Sequence, residues 1–257
     1  MEGWALVEGK LVPLAEARVP ITDVGFTHGL GVYETLEAWE GCDPFANLAR
    51  LRESALAIGL PAPDDEVIRR EIDQVRAKVG ARAWVRVSLT GDGRRIVWAS
   101  AVDEERRHAP VRCATGPHVD HPLLPGSVKH RSRGAWMLEV RRRQVDEILF
   151  VDADGRFTEG TSCAVATVVD GRVMTAPWDG RILASTTLRR LLGHAKRLGI
   201  EVVRQGARPT EPFDALYVAS TTRSLAPVAE LDGRALPTWD PVGRRLAAAD
   251  DAERGAG

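Results

Sequence analysis

Two short apolar runs, WALV within WALVEG and then KLVPL, meet at the polar turn Glu8-Gly9 and predict a hairpin. The polar stretch ARVPITDVGFTHG leads into LGVYETLEAWEG, where Val32, Thr35, Leu36 and Trp39 suit a partly buried strand. From Phe45 to Leu60 the period lengthens. Leu48, Leu51, Ala55 and Ile58 recur at helical spacing, and Gly59 with Pro61 signals the stop. Asp64 or Asp65 is placed to cap a second helix, DDEVIRREIDQVRAKVG. ARAWVRVSLTG then alternates as a strand, and IVWASAV follows as another.

Around residues 104–128 the pattern fails, and prolines stand at 110, 117, 122 and 125. Pro117–Ser127 is expected to connect two lobes. Beyond it RGAWMLEVRRRQV suits a helix, while Asp154-Gly155 and Asp170-Gly171 mark hairpins within ILFVDADGRFTEG and AVATVVDGRVMTAP. Ser185 or Thr186 can cap the amphipathic helix TLRRLLGHAKRLGI; EVVRQGA and ALYVAST read as strands, and ELDGRALP as a last hairpin. The tail, LAAADDAERGAG, is expected to fray. The pattern predicts an α+β chain of two lobes, each with a mainly antiparallel sheet. Residues 1–116 form the N-terminal lobe, 117–127 the connector and 128–257 the C-terminal lobe.

Composition adds exclusions. The 257 residues carry a formal net charge of -1, with 44% hydrophobic and 28% charged positions, an ordinary globular balance. Nothing in that charge favours nucleic acid or an anionic membrane as a partner. No apolar run is long enough to span a bilayer, and MEGWALVEGK lacks the features of an export signal, so a cytoplasmic protein is expected. Cys42, Cys113 and Cys163 lack metal-ligand spacing, as do His108, His118, His121 and His194, and no metal site is expected.

Of 35 basic residues only Lys10, Lys78, Lys129 and Lys196 are lysines, the one side chain with an ionisable amine for Schiff-base chemistry. Lys10 falls on a hairpin, and Lys78 and Lys196 on the polar sides of helices. Lys129 follows the Pro/Gly-rich connector, within GSVKHRSR. By position alone it is as readily one more member of a basic patch with His130, Arg131 and Arg133.

Five segments change that reading: GFTHGLGVYETL, FANLARLRESA, TEGTSCAVATVVDGRVMTAP, DGRILASTTLRRLL and LYVASTTRSLAPV. In this order, around a lysine at this place, they resemble the fold-type IV family of pyridoxal-phosphate enzymes. These are the class IV aminotransferases, with branched-chain and D-amino-acid aminotransferases and aminodeoxychorismate lyase among them. The resemblance covers roughly residues 5–240. It implies the two-lobed D-amino-acid aminotransferase-like fold, with a sheet or small barrel in each lobe. It also implies an active site between the lobes, completed by a second subunit in a homodimer.

The cofactor implied is pyridoxal 5'-phosphate, with Lys129 as its Schiff-base residue and proton shuttle between Cα and C4′. Glu159, in T-E-G, matches the carboxylate that keeps the pyridine nitrogen protonated. Thr186 and Thr187, opening a helix, together with Thr221 and Arg50, match the phosphate contacts. Arg52, two residues on from Arg50, faces another way. The reaction implied is ping-pong transfer of an amino group between an amino acid or amine and a 2-oxo acid.

The chain departs from the family where P-G-I-T-R becomes Ala184-Ser185-Thr186-Thr187-Leu188. Loss of that glycine predicts an altered phosphate cup. Two alanines, Ala164 and Ala166, replace an asparagine and an aromatic after T-E-G. His28, Tyr33, Arg94, His130, Arg133 and Arg223 are candidates to line the substrate pocket. The run K-H-R-S-R is more like aminodeoxychorismate lyases, and S-T-T-R-S-L-A-P-V more like D-amino-acid aminotransferases. An aminotransferase is the first reading, the lyase the second, and a family member retained as a binding protein the third.

Overall fold

The computed structural model describes residues 2–61 and 63–255. The chain divides into two compact units, one running to Asp103 and including Ser127–Arg133, the other built from Glu104–Gly126 and the residues from Gly134 onward.

The first unit is a five-stranded antiparallel sheet covered by helices. Its strands are β1 (Gly3–Val7), β2 (Lys10–Pro13), β3 (Gly31–Trp39), β4 (Arg82–Thr90) and β5 (Arg95–Ala101), in the order β2-β1-β5-β4-β3. The first hairpin turns on Glu8 and Gly9, both at positive φ, as a type I′ turn requires. A one-turn helix α1 (Val24–Thr27) precedes β3, and α2 (Phe45–Ala57) and α3 (Asp65–Val79) follow it. Leu48, Leu51 and Ala55 of α2 and Ile68, Ile72 and Val75 of α3 are the buried helical stripe. Asp64 is the cap of α3, its carboxylate accepting from the amides of Glu66 and Val67 at 2.9 and 3.2 Å.

The second unit is a closed six-stranded barrel. It uses β6 (Val111–Pro117), β7 (Glu147–Val151), β8 (Phe157–Gly160), β9 (Ala164–Val169), β12 (Ala215–Ser220) and β13 (Ser224–Leu231). One end of β9 pairs with β8 through Glu159 and Ala164 and closes the ring, while its other end pairs with β10 (Arg172–Met174). Short strands β11 (Val202–Val203) and β14 (Arg234–Ala235) extend β10 and β13. All six barrel strands contribute to one apolar cluster containing Val111, Leu149, Phe157, Val165, Leu216 and Ala226. The opposite faces of β9 and β12 pack Ala166, Val168, Ala215 and Tyr217 against α5 (Thr186–Arg197) and α6 (Pro241–Gly255). A further helix, α4 (Gly134–Arg143), precedes β7.

Three sequence expectations are corrected. Residues 111–117 are a strand inside the barrel, paired in parallel with both β13 and β7, so the chain enters the second unit before Pro117. The lysine segment, Ser127–Arg133, belongs to the first unit rather than the C-terminal lobe, because its backbone bonds to β3. The tail is the helix α6. Asp240 accepts from the amides of Val242 and Gly243 at 3.0 and 2.9 Å, Pro241 opens the helix, and Leu246, Ala247 and Asp250 are buried. Gly243 has no side chain because the Tyr217 hydroxyl lies 2.1 Å from where a Cβ would stand.

Candidate active site

In the first unit the residues 128–131 extend the sheet at the free edge of β3. Tyr33 N–H donates to the Lys129 carbonyl at 3.0 Å and Arg131 N–H to the Gly31 carbonyl at 2.9 Å, with Val32 bridged to His130 between them. Gly31 permits this approach: a Cβ there would fall 2.4 Å from the Leu89 carbonyl and 3.0 Å from the Arg131 side chain. Lys129 N–H donates to Ser54 Oγ of α2 at 3.1 Å, fixing the segment to the helix.

This anchoring sets the Lys129 amine 4.9 Å from the ring centroid of Tyr33. The Arg86 and Arg133 guanidinium groups stand 4.7 and 6.0 Å from the same ring. Arg86 comes from β4, where it faces Thr35 in register and donates to its hydroxyl at 3.2 Å. Beside them Glu34, fully buried, receives two hydrogen bonds from Arg50 at 2.6 and 2.9 Å and one from Asn47 at 3.0 Å.

Charge and burial act together on this cluster. Burial lowers the pKa of the Lys129 amine; the charges of Arg50 and Arg133 lower it further, and Tyr33 and Glu34 oppose them. For Tyr33 burial works upward, but the charges of Lys129, Arg133 and Arg86 outweigh it and leave the phenol below its ordinary value. Burial also lowers Arg86, which stays charged at neutral pH. An amine with a depressed pKa is more often in its nucleophilic form.

In the second unit Glu159 lies on β8, half-buried, and accepts from the Leu183 amide at 3.2 Å. Ser185 is the N-cap of α5: its hydroxyl accepts from the Leu188 amide at 3.1 Å and its carbonyl from the Arg189 amide at 3.0 Å. The amides of Thr186 and Thr187 are therefore the first-turn donors with no acceptor inside the helix, next to two threonine hydroxyls. Ser185 sits at φ -65, ψ 123, an ordinary extended conformation. The serine that replaces the family's glycine is accommodated without strain. Thr221 opens the turn between β12 and β13, closed by the Arg223 amide on the Ser220 carbonyl at 3.3 Å.

The structure thus gathers Lys129, Tyr33, Arg133 and Arg50 into one cluster. It places Thr186 and Thr187 on the first turn of α5 and Glu159 against the loop that leads into it. The other candidates have surroundings of their own. His28 is exposed after α1, its Nδ1 2.7 Å from the Thr27 hydroxyl. Arg94, beyond β4, pairs with Asp23 at 3.1 Å and with Glu8. The Arg223 guanidinium lies 4.0 Å from Asp146. His130 is buried opposite Val32. Arg52 pairs with Asp65, away from Glu34.

Glu34, Ser54 and Arg86 were not anticipated. Glu34 follows Tyr33 in a strand, where alternation alone does not announce a buried carboxylate. Arg86 meets Tyr33 only through the β3–β4 register.

Within the first unit, an amine of depressed pKa among arginines suits an aldehyde; within the second, a carboxylate beside the loop into α5 and a threonine-lined helix N-terminus suit a protonated pyridine ring and a phosphate, the three groups of pyridoxal phosphate. The fold is that of the fold-type IV aminotransferases. The amino-transferase class IV family model matches residues 31–231, and the chain belongs to that family of pyridoxal-phosphate-dependent enzymes.

A bifunctional aminodeoxychorismate lyase / D-amino acid transaminase of Mycobacterium tuberculosis is 26% identical, covering 90% of this chain and 92% of its own. A hypothetical aminotransferase from the same organism, solved with alpha-ketoglutarate and PMP bound, is 26% identical with a TM-score of 0.85. That match covers 97% of this chain and 98% of the other. A fold IV-transaminase from Curtobacterium pusillum is 27% identical with a TM-score of 0.79, over 96% and 98% of the two chains. Among the described residues no helix is long and apolar enough to cross a membrane.

Proposed function

We propose that the protein transfers the amino group of an amino acid to a 2-oxo acid in two half-reactions, with Lys129 carrying the cofactor. The observation that supports this best is the Lys129 amine held 4.9 Å from Tyr33 in surroundings that lower its pKa. Pyridoxal phosphate, when bound, supplies an aldehyde that condenses with amines and a ring that accepts the electron pair released at Cα.

The chain's own residues divide the remaining work. Lys129 Nζ would hold the cofactor and, as general base and acid, would move a proton between the substrate Cα and the cofactor carbon C4′ on the far side of the intervening nitrogen. Tyr33 packs against the amine and limits its orientations. Glu159 holds a proton on the ring nitrogen by favouring the charged form. Thr186 and Thr187, with Thr221, offer amides and hydroxyls to the phosphate, and Arg50, fixed by Glu34, adds positive charge.

Arg86 and Arg133 flank Tyr33 and favour a substrate with a second carboxylate besides the one next to the reacting carbonyl, such as a dicarboxylic 2-oxo acid. The alpha-ketoglutarate bound to the Mycobacterium tuberculosis neighbour supports that choice. Supplying the protein with pyridoxal phosphate, 2-oxoglutarate and a panel of L- and D-amino acids and amines is expected to yield glutamate. Arg86→Ala is expected to raise KM for 2-oxoglutarate on the order of tenfold or more, as loss of a charged hydrogen bond would. An unchanged KM would count against Arg86 as the contact.

A second reading is elimination of pyruvate from aminodeoxychorismate. The K-H-R-S-R run and the bifunctional Mycobacterium tuberculosis relative favour it. Release of pyruvate and 4-aminobenzoate without a 2-oxo acid acceptor would establish it. The donor, the acceptor and the cofactor are all small molecules. A homodimer is proposed from the family resemblance, and sedimentation as monomer alone at micromolar concentration would contradict it.

A further inference from the structure

Deep in the second unit one carboxylate joins three elements. Asp250 of α6 has no solvent exposure. It accepts from Arg190 of α5 at 2.5 and 3.3 Å, from Arg254 one turn along its own helix at 2.8 Å, and from the Ser224 hydroxyl at 2.5 Å. His194, one turn beyond Arg190, brings its Nε2 to 3.7 Å. Burial alone would raise the pKa of Asp250, but Arg190, Arg254 and Ser224 hold it far below the usual carboxylate range.

The partners are placed to matter for the phosphate. Positions three and four apart share a helix face, so Arg190 continues the stripe that Thr186 and Thr187 begin. Ser224 ends the turn that contains Thr221, and it sits at φ 54, a left-handed conformation uncommon for serine. That turn is held from the other side by the His108 amide on the Arg223 carbonyl at 3.0 Å. The start and apolar side of α6 are attached by other contacts. Val242, Leu246 and Ala247 bury its apolar side, and Asp240 caps its start while accepting from the Tyr217 hydroxyl at 2.7 Å. Buried ion clusters contribute little net stability against their desolvation cost, so geometry is the better account of this one.

We infer that Asp250 is a positioning residue, tying the Ser220–Ser224 turn to the first turns of α5 and so setting the spacing of the threonines offered to a phosphate. The inference rests on the reading that Thr186, Thr187 and Thr221 meet the cofactor's phosphate.

The test is a titration of the apo-protein with pyridoxal phosphate, followed by absorbance and by the 31P resonance of the bound cofactor. Asp250→Asn and Ser224→Ala are each expected to raise Kd on the order of tenfold and to broaden or shift that resonance, as loss of one charged hydrogen bond would. Ser224→Ala leaves Asp250 with both arginines, so it reports on the link even if Asp250→Asn does not fold. Asp240→Ala, which loosens the far end of α6, is expected to lower Tm yet leave Kd within about twofold. Unchanged Kd in both clamp variants, or equal weakening in Asp240→Ala, overturns the positioning role while the cofactor reading stands. A wild-type protein that binds no pyridoxal phosphate overturns the cofactor reading and the clamp with it.

Discussion

An amine enclosed by a tyrosine ring and arginines gives up its proton more readily than one in water, and this has a consequence for stability. Because the pKa of Lys129 is lowered on folding, the unfolded chain binds more protons between the lowered value and the ordinary lysine range. Stability therefore rises with pH across that window, and below it the fold bears the cost of burying the charge. Lys129→Met in the apo-protein is expected to melt a few degrees higher than wild type near pH 7, the gap narrowing as pH nears 10. Thermal unfolding at the two pH values checks this, and a variant less stable at both would contradict it. Glu34→Gln acts oppositely: it leaves the Arg50 guanidinium, with 10% side-chain exposure, short of its counter-charge. A loss of about 3 kcal/mol in denaturant unfolding is expected, and a loss near zero would show that Arg50 finds another partner. Lys129, Tyr33 and Arg133 were each legible as candidates, but their convergence was not. It depends on 128–131 bonding to the edge of β3, which no local pattern records.

Helix boundaries were the most legible elements, because caps are local chemistry. Asp64 and Ser185 both cap the helices expected of them. Ser185→Ala is expected to cost about 1 kcal/mol and to fray the turn that carries Thr186 and Thr187, which hydrogen exchange at those amides would register. The hairpins at Glu8-Gly9 and Asp170-Gly171 were legible for the same reason, since both residues of each pair adopt positive φ. Two elements were misjudged. β6 has parallel neighbours on either side, so its pattern is set by distant strands and its proline-rich surroundings masked it. α6 was read as a fraying tail, although Asp240-Pro241 is a helix start and Leu246 and Asp250 are buried only by tertiary packing.

At the scale of the molecule, the α+β class and the family were legible, whereas the allocation of segments to units was not. The lysine lies at the middle of the chain, between two barrel strands, yet packs with the first unit, because backbone pairing with β3 outweighs sequence proximity. Lys129 and Arg50 belong to the first unit, and Glu159 and the threonines to the second. The central claim is that Lys129, among four lysines, carries pyridoxal phosphate. Reducing the loaded protein with borohydride and mapping its peptides by mass tests this directly. A pyridoxyl phosphate group is expected on Lys129 alone, with the absorption near the visible edge lost in Lys129→Ala. A label on Lys10, Lys78 or Lys196 in place of Lys129, or no label on any lysine, would contradict it.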